Sequence, residues 1–255
     1  MSYGIKISAT GALAAIHRQD ALAANLANLN TVGFKPVLAG AMHRDPVRVE
    51  DGLHAWDSDA MLERLGGGVL AAPVMIDFGQ GPLELTDDPM HLAIKGDGFF
   101  VVGDPANPSL TRDGRLALRP DGTLVMATTG LPLVGVGGRP IVVDPAGGPL
   151  QISGDGRVVQ GGVEVGRLRV ADVPDRDALR KVGHGLFGSA SGSALTLVDA
   201  GGAVVQGAVE GSGVDEIDAL MRITDAARAA QSNIGMIDMQ NRMLDRLVNT
   251  FGRLA

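Results

Sequence analysis

The five histidines are the first residues to test for chemistry, because histidine is a frequent metal ligand and general base. They are His17, His43, His54, His91 and His184. No two of them have the spacing of a His-Glu-x-x-His motif or of another metal-ligand pair. The chain also has no cysteine, which excludes disulfides, thiolate nucleophiles and cysteine-based zinc or iron–sulfur sites. We therefore predict no metal site and no cofactor.

One glycine motif and one acidic pair also have the spacing of a reactive site. Gly183 begins a Gly-x-Gly-x-x-Gly motif, which binds dinucleotides when it follows a strand and opens a helix. Residues 189–193 read Ser-Ala-Ser-Gly-Ser, and this loop composition argues against a nucleotide site. Asp87 and Asp88 are interpreted as solvent-exposed acids of a turn. The sequence also contains no Gly-x-Ser-x-Gly nucleophile motif. It therefore predicts no catalytic residue and no enzyme.

The charge of the chain is negative and unevenly distributed. The formal net charge is −7, and residues 36–211 carry 14 basic and 22 acidic side chains. An acidic body argues against nucleic acid, which would require a basic stripe. No apolar run approaches 18 residues, so we expect no membrane insertion. The first residues also lack the basic region and solid apolar stretch of a cleaved signal peptide.

The residues at the N-terminus predict an amphipathic helix. Residues 3–30 contain no proline and are rich in alanine and leucine, which favour helix. Apolar residues recur there at steps of three and four: Ile5, Ala9, Ala12, Ile16, Ala23 and Leu26. We expect Gly33 to be the left-handed C-cap of this helix and Pro36 to follow as a stop.

The C-terminal residues predict a long helix with coiled-coil spacing. Alternating steps of three and four give ten positions, of which only Asn241 is polar: Leu220, Ile223, Ala227, Ala230, Ile234, Ile237, Asn241, Leu244, Val248 and Phe251. Residues 212–215 resemble a capping box, so we expect one helix over about 214–254. The alternative is two ordinary amphipathic helices broken at Gly235.

The chain between the two helices predicts β structure. From residue 68 to residue 211, short apolar runs alternate with Asp-Gly and Gly-Gly pairs, which favour tight hairpin turns. Residues 36–67, with the single tryptophan Trp56, are predicted as an irregular connector. The fold class is therefore α+β. The discontinuous helices of residues 1–35 and 212–255 form a coiled-coil-like stalk, and residues 68–211 form a glycine-rich antiparallel all-β body domain.

Several stretches of the sequence resemble the rod and hook proteins of the bacterial flagellum, known as the axial proteins. Residues 24–35, Ala-Asn-Leu-Ala-Asn-Leu-Asn-Thr-Val-Gly-Phe-Lys, are similar to the N-terminal signature of that family. Residues 78–83, 92–101 and 110–116 resemble its β domain, in which Ala-Ile-x-Gly-x-Gly-Phe-Phe and Thr-Arg-x-Gly recur. Residues 206–214 resemble the stretch that leads into its C-terminal helix. The order and spacing of all blocks agree with the family.

Two positions and one segment depart from the family pattern. Ala24 and Gly213 stand where the family usually has asparagine. Residues 226–231 keep only part of its Gln-Arg-Ala-Tyr-Glu segment. The connector is shorter than in hook proteins, which favours a rod protein. The compact body and these departures favour a proximal-rod over a distal-rod type.

The resemblance implies a structural subunit of the flagellar basal-body rod, which polymerises helically and transmits torque from motor to hook. It also implies export by the flagellar type III apparatus, without a cleaved signal peptide, and assembly in the periplasm with itself and other rod and hook axial proteins. The alternative is a secreted β-rich adhesin or binding module with a coiled-coil stalk. That alternative needs an exposed aromatic platform, for which one tryptophan and one tyrosine are weak support.

We expect subunit contacts along the two helical stripes and the N-terminal signature. The expected contact residues are Ile16, Asn25, Leu26, Asn28, Thr31, Gly33, Phe34, Leu220, Ile223, Ile234, Ile237, Asn241, Leu244, Val248 and Phe251.

Overall fold

The computed structural model of the protein describes residues 2–50, 66–190, 192 and 194–251. The chain divides into two compact units. The helical unit comprises residues 1–27, 37–75 and 215–255, and the β unit comprises residues 28–36 and 76–214. Two long helices and antiparallel β structure between them in sequence confirm the α+β class.

The helical unit contains all the helices of more than three residues in the described chain, together with short strands. Its helices are α1 (Ser2–Ala27), α2 (Val47–Glu50) and α3 (Glu216–Phe251). Its strands are β1 (Val37–Leu38), β2 (Ala41–Arg44), β3 (Gly68–Ala71) and, at its border, β4 (Met75–Ile76). Strand β2 pairs antiparallel with β3, with Ala41 opposite Ala71. The backbone N–H of Val69 in β3 donates to the Thr10 hydroxyl of α1 at 3.2 Å.

The predicted irregular connector is therefore partly regular. Two strands and a short helix lie within its described residues, because β2 finds a pairing partner in β3. Strand β3 itself lies in the helical unit rather than in the β body. Trp56 and the rest of residues 51–65 lie outside the described residues.

Helix α3 is a single helix, as the unbroken heptad phase predicts, and it continues through Gly235. Its N-terminus differs slightly from the expectation. The Asp215 carboxylate accepts from the backbone N–H of Asp218 at 2.8 Å, so Asp215 caps the helix and the first helical residue is Glu216. The expected last residues, 252–254, lie outside the described chain.

Helix α1 ends earlier than predicted, at Ala27. Residues 28–30 form a turn instead. Gly33 does have a positive φ of 67°, but it lies six residues past the helix and is not its C-cap. Its conformation is required by contacts within the β unit.

Helices α1 and α3 run antiparallel and approach closely at two glycines of α1. Gly4 of α1 lies against Gln240, and Gly11 lies against Asn233, where a β-carbon on either glycine would come within 2.8 Å of the partner side chain. The least exposed α3 residues on this side, which we call the seam, recur in steps of four and three: Ala219, Ile223, Ala226, Ala230, Asn233, Ile237, Gln240, Leu244 and Leu247.

The seam differs from the predicted stripe at every second position. Four residues belong to both patterns: Ile223, Ala230, Ile237 and Leu244. At the alternate positions the residue one place earlier is the less exposed one, so Leu220, Ile234 and Val248 lie outside the seam. The glycines of α1 leave room in the seam for Asn233 and Gln240, while Leu220 and Ile234 remain at the surface.

The β unit is built from short antiparallel strands. They are β5 (Leu83–Leu85), β6 (Leu92–Lys95), β7 (Phe99–Asp104), β8 (Asn107–Thr111), β9 (Leu116–Leu118), β10 (Leu124–Met126), β11 (Leu150–Ile152), β12 (Arg157–Gln160), β13 (Val163–Arg167), β14 (Val170–Asp172), β15 (Leu179–Gly183), β16 (Leu186–Ser189), β17 (Val198–Asp199), β18 (Ala203–Gln206) and β19 (Ala208–Glu210). The largest sheet has the order β15-β16-β8-β7-β14-β17, and β19 pairs with β5.

Strand β7 contributes to two hydrophobic clusters of the β unit. Phe100 packs with Leu92 and Ile94 in one cluster, and Phe99 packs with Phe187 in the other. Successive residues of a strand point to opposite faces, so the Phe99-Phe100 pair serves both clusters. Both rings are almost fully buried, so Phe99 and Phe100 are core residues of the β unit.

Candidate subunit-contact site

Residues 28–36, which we call the arm segment, leave α1 and pack into the β unit. The backbone N–H of Gly33 donates to the Glu210 carbonyl at 2.7 Å, and the N–H of Gly213 donates to the Phe34 carbonyl at 2.9 Å. On the other side, the N–H of Asp77 donates to the Pro36 carbonyl at 2.9 Å. The arm segment thus belongs structurally to the β unit, although the sequence pattern groups it with the N-terminal helix.

Three buried charged side chains anchor the arm segment. Lys35 Nζ lies 2.5 Å from Glu210 Oε1, and Arg112 Nη1 lies 2.8 Å from Glu210 Oε2. We call these three residues the ion cluster. Each is 3% exposed or less at its side chain, and buried charges require such pairing. The cluster therefore ties the arm segment to strand β19 and to the segment after β8.

Three backbone groups also form hydrogen bonds with the ion cluster. Lys35 Nζ also donates to the Gly79 carbonyl, and Arg112 Nη2 donates to the Gly96 carbonyl, both at 2.8 Å. Glu210 Oε1 accepts a further bond from the Gly81 N–H at 2.9 Å. Burial lowers the pKa of Lys35, and the hydrogen bond to Glu210 opposes this effect. Among the buried polar atoms of these three side chains, only Arg112 Nε has no hydrogen-bond partner, so the geometry of the cluster is that of a structural anchor.

Gly33 is required by the close approach of the arm segment to the β unit. A β-carbon at this position would lie 2.5 Å from the carbonyl carbon of Arg112, and the φ of 67° is rarely adopted by other residues. The Gly-Phe-Lys part of the N-terminal signature therefore supplies a tight contact at Gly33 and an anchor at Lys35.

The ion cluster is not predicted by the sequence pattern. Lysine, arginine and glutamate are usually exposed, and no local pattern marks these three as partners. One signal was present, because Lys35, Arg112 and Glu210 each lie in a different block of the family resemblance, within residues 24–35, 110–116 and 206–214.

Asn25 of the signature makes contacts within its own chain. Its side chain is buried, with Oδ1 accepting from the Val37 N–H and Nδ2 donating to the Val37 carbonyl, both at 2.8 Å. Asn28 and Thr31 form the turn after α1, where the Thr31 hydroxyl donates to Asn28 Oδ1 at 3.2 Å. Leu26 is half-buried.

The expected contact residues on the helices fall into two groups. Ile223, Ile237 and Leu244 are half-buried in the seam. The second group is exposed, so its side chains can contact another subunit. It consists of Ile16 (40% exposed), Leu220, Ile234 (47%), Asn241 and Val248 (71%). Phe251 is the last residue of α3, and its side chain lies outside the described residues.

Further apolar side chains enlarge the exposed surface of the helical unit. Leu13 of α1 and a set on α3 are at the surface, namely Ile217, Met221, Met236, Met239 and Met243. The methionines were not predicted, although 236, 239 and 243 follow the same steps of three and four. We expect a unit with so many exposed apolar side chains to contact other chains through them.

A cleft of about 570 Å³ lies within the helical unit. Its apolar lining includes Ala15 and Leu22 of α1, Met75, and Ala226 of α3, and Arg222 also borders it. Such a cleft can take apolar side chains of another chain. The described residues contain no group of three acidic or histidine side chains placed to hold a metal. No helix in the described chain is long and apolar enough to cross a bilayer.

Three protein-family models match separate segments of the chain. Residues 5–35 match the description "Flagella basal body rod protein". Residues 93–160 match "Flagellar hook protein FlgE/F/G D1 domain". Residues 205–250 match "Flagellar basal body rod FlgEFG protein C-terminal". The matches include Lys35, Arg112 and Glu210 of the ion cluster and most of α1 and α3.

Similar proteins cover nearly the whole chain. The flagellar basal-body rod protein FlgF of Caulobacter vibrioides is 31% identical over 92% of this chain and 92% of its own length. FlgF of Mesorhizobium japonicum is 27% identical over 99% of both chains. FlgG of Bacillus subtilis is 28% identical over 90% of this chain and 92% of its own. The chain therefore belongs to the flagellar basal-body rod protein family.

Proposed function

We propose that this chain is a structural subunit of the flagellar basal-body rod. The observation that carries the proposal is the similarity of more than nine-tenths of the chain to a rod protein at 31% identity. The exposed apolar residues of α1 and α3 support it, since they give the helical unit a surface for neighbouring subunits. The alternative of a secreted adhesin is not favoured by these relatives.

In this proposal the subunit contacts copies of itself and other axial proteins of the rod and hook. A contact between two different surfaces that does not close into a ring generates a helical filament. The exposed group Ile16, Leu220, Ile234, Asn241 and Val248 would provide one surface, and the cleft beside Leu22 and Ala226 would receive apolar side chains. The filament then transmits torque from motor to hook, and α1 and α3 form its axial stalk.

The chain's role is structural, without catalysis, cofactor, nucleic acid or direct membrane insertion. We further propose a proximal-rod position in the periplasm, reached through the flagellar type III export apparatus without a cleaved signal peptide. The absence of cysteine supports this route, because the chain cannot form disulfides when it enters an oxidising compartment.

A deletion strain tests the proposal. We expect cells without the chain to be non-motile, with basal bodies that stop before the hook when they are examined by electron microscopy. Complementation with the intact chain should restore complete basal bodies, and the chain should co-purify with them. Complete hooks and normal swimming in the deletion strain would overturn the proposal.

A further inference from the structure

A second cleft lies within the β unit, beside the arm segment. It has a volume of about 450 Å³ and is lined by Phe34 and Lys35 of the arm, by Asp113 and Arg115, and by Lys181 and residues 183–187 of β15, β16 and their turn. Strand β15 is at the edge of the six-stranded sheet. The cleft is mainly apolar, and it is large enough to admit one or two side chains of another chain.

Lys181 has an unusual position in this cleft. Its side chain is half-buried, and its ammonium nitrogen lies 3.7 Å from the centre of the Phe34 ring. Among the described residues no carboxylate lies within ion-pair distance of Lys181. Burial lowers the pKa of this amine to about 8. A partly desolvated ammonium without an anionic partner is energetically costly.

The other charges of the cleft are already paired. The Arg115 guanidinium donates twice to the Asp113 carboxylate, at 2.9 and 2.7 Å, and Lys35 is paired with Glu210. Among the residues lining the cleft, three are cationic and one is a carboxylate. This positive lining contrasts with the net charge of −7 for the whole chain.

We propose that the cleft receives an aspartate or glutamate side chain from a second copy of this chain, whose carboxylate pairs with Lys181. Charge complementarity supports this occupant, since the acidic surface of another copy supplies the missing anion. Four arm residues that the sequence predicts at subunit contacts, Asn28, Thr31, Gly33 and Phe34, line the cleft. The inference rests on the proposed function, because copies meet only if the chain assembles.

Chemical labelling tests the occupant, because the chain has only four lysines: Lys6, Lys35, Lys95 and Lys181. Basal bodies and unassembled chain are treated with an amine-acetylating reagent at pH 8, and the peptides are quantified by mass spectrometry. We expect at least fivefold less acetylation of Lys181 in basal bodies than in the free chain. Equal acetylation of Lys181 in both would overturn the proposal.

A zero-length carbodiimide, which joins an amine to a carboxylate, identifies the partner. We expect an amide between Lys181 and an acidic residue of a second copy. Cells that contain both isotope-labelled and unlabelled copies distinguish this link from one within a single copy, because only a link between copies joins a labelled peptide to an unlabelled one. A link from Lys181 to a different protein, or to a carboxylate of the same copy, would overturn the assignment.

Two variants separate this inference from the proposed function. Lys181→Met keeps an apolar stem against Phe34 and removes the charge, whereas Lys181→Arg keeps the charge. We expect the Met variant to lose at least half of the swimming-halo diameter and the Arg variant to retain it, with exposed Lys95→Met as the control. A motile deletion strain would overturn the proposed function. A non-motile deletion strain with a fully motile Lys181→Met strain would overturn only the inference.

Discussion

The ammonium nitrogen of Lys35 lies 2.5 Å from the Oε1 atom of Glu210, although 175 residues separate them in the chain. Both side chains are 1% exposed. The contact joins the segment that follows α1 to the last strand before α3. Because Arg112 binds the same carboxylate, a single buried anion organises three distant parts of the chain.

Replacing the shared carboxylate should strongly destabilise the β unit. Glu210→Gln leaves the Lys35 and Arg112 cations without a counter-charge, and the loss of one partner of a buried ion pair costs about 3–5 kcal/mol. Urea denaturation of the purified protein measures the change in the free energy of unfolding. Asp199→Asn makes the same chemical change at a side chain that is 91% exposed and should cost less than about 0.5 kcal/mol. Similar values for the two variants would contradict the anchoring role.

Gly33→Ala should be more costly than an ordinary glycine substitution. The new β-carbon would meet the Arg112 backbone at 2.5 Å, so we expect a loss of about 2–4 kcal/mol in the free energy of unfolding. Gly162→Ala is a matched control, because Gly162 also has a positive φ but has no atom within 4 Å of the added carbon. It should lose only about 1–2 kcal/mol. If the control loses as much as Gly33→Ala, the close approach is not the cause.

Ile234→Asp should abolish motility without unfolding the protein. Ile234 is outside the seam and 47% exposed, so the free energy of unfolding should change by less than about 0.5 kcal/mol. Swimming in soft agar and thermal denaturation of the purified chain give the two readouts. Ser232→Asp adds the same charge at an exposed polar position two residues earlier and should swim normally. Normal swimming by Ile234→Asp would remove this stripe from the proposed interface.

Lys181→Met should stabilise the free chain at neutral pH. The folded pKa of Lys181 is about 8, below the ordinary value of 10.5, so the charged amine opposes folding most fully below pH 8. Between pH 8 and 10.5 the folded state has lost the proton that the unfolded state still binds, and wild-type stability rises relative to the variant. We expect the variant to be more stable by about 1 kcal/mol at pH 7, after allowance for solvent screening of this half-buried group. Denaturation at pH 7 and 10.5 measures the difference, and a pH-independent difference would contradict this account.

The sequence predicts the regular elements better than their contacts. Heptad spacing predicts α3 through Gly235 because a long helix leaves a strong periodic signal. The same spacing selects Leu220 and Ile234, whereas the seam uses Ala219 and Asn233. Hydrophobicity scales favour the aliphatic Leu220 and Ile234, but the glycines of α1 leave room in the seam for the amide side chains of Asn233 and Gln240. The expected stripe therefore contains both seam residues and exposed residues.

The arm segment could not be located from the sequence for a different reason. Its position depends on backbone hydrogen bonds from Gly33 to Glu210 and from Gly213 to Phe34, and such bonds leave no local pattern. Asn25 is similar, since its amide pairs with the Val37 backbone. The family resemblance marked these residues as a group, but their intramolecular roles became visible only in the structure.

The anchor at Glu210 also has a consequence for the time course of folding. On a ribosome that adds about 5–20 residues per second, the 175 residues from Pro36 to Glu210 take on the order of 9–35 s to be made. During that interval Lys35 of the arm segment lacks its partner Glu210. Contacts between residues so far apart in the sequence also form late in folding. The nascent chain therefore cannot complete its β unit until synthesis is nearly over, which leaves time for a factor that binds unfolded chain to engage it first.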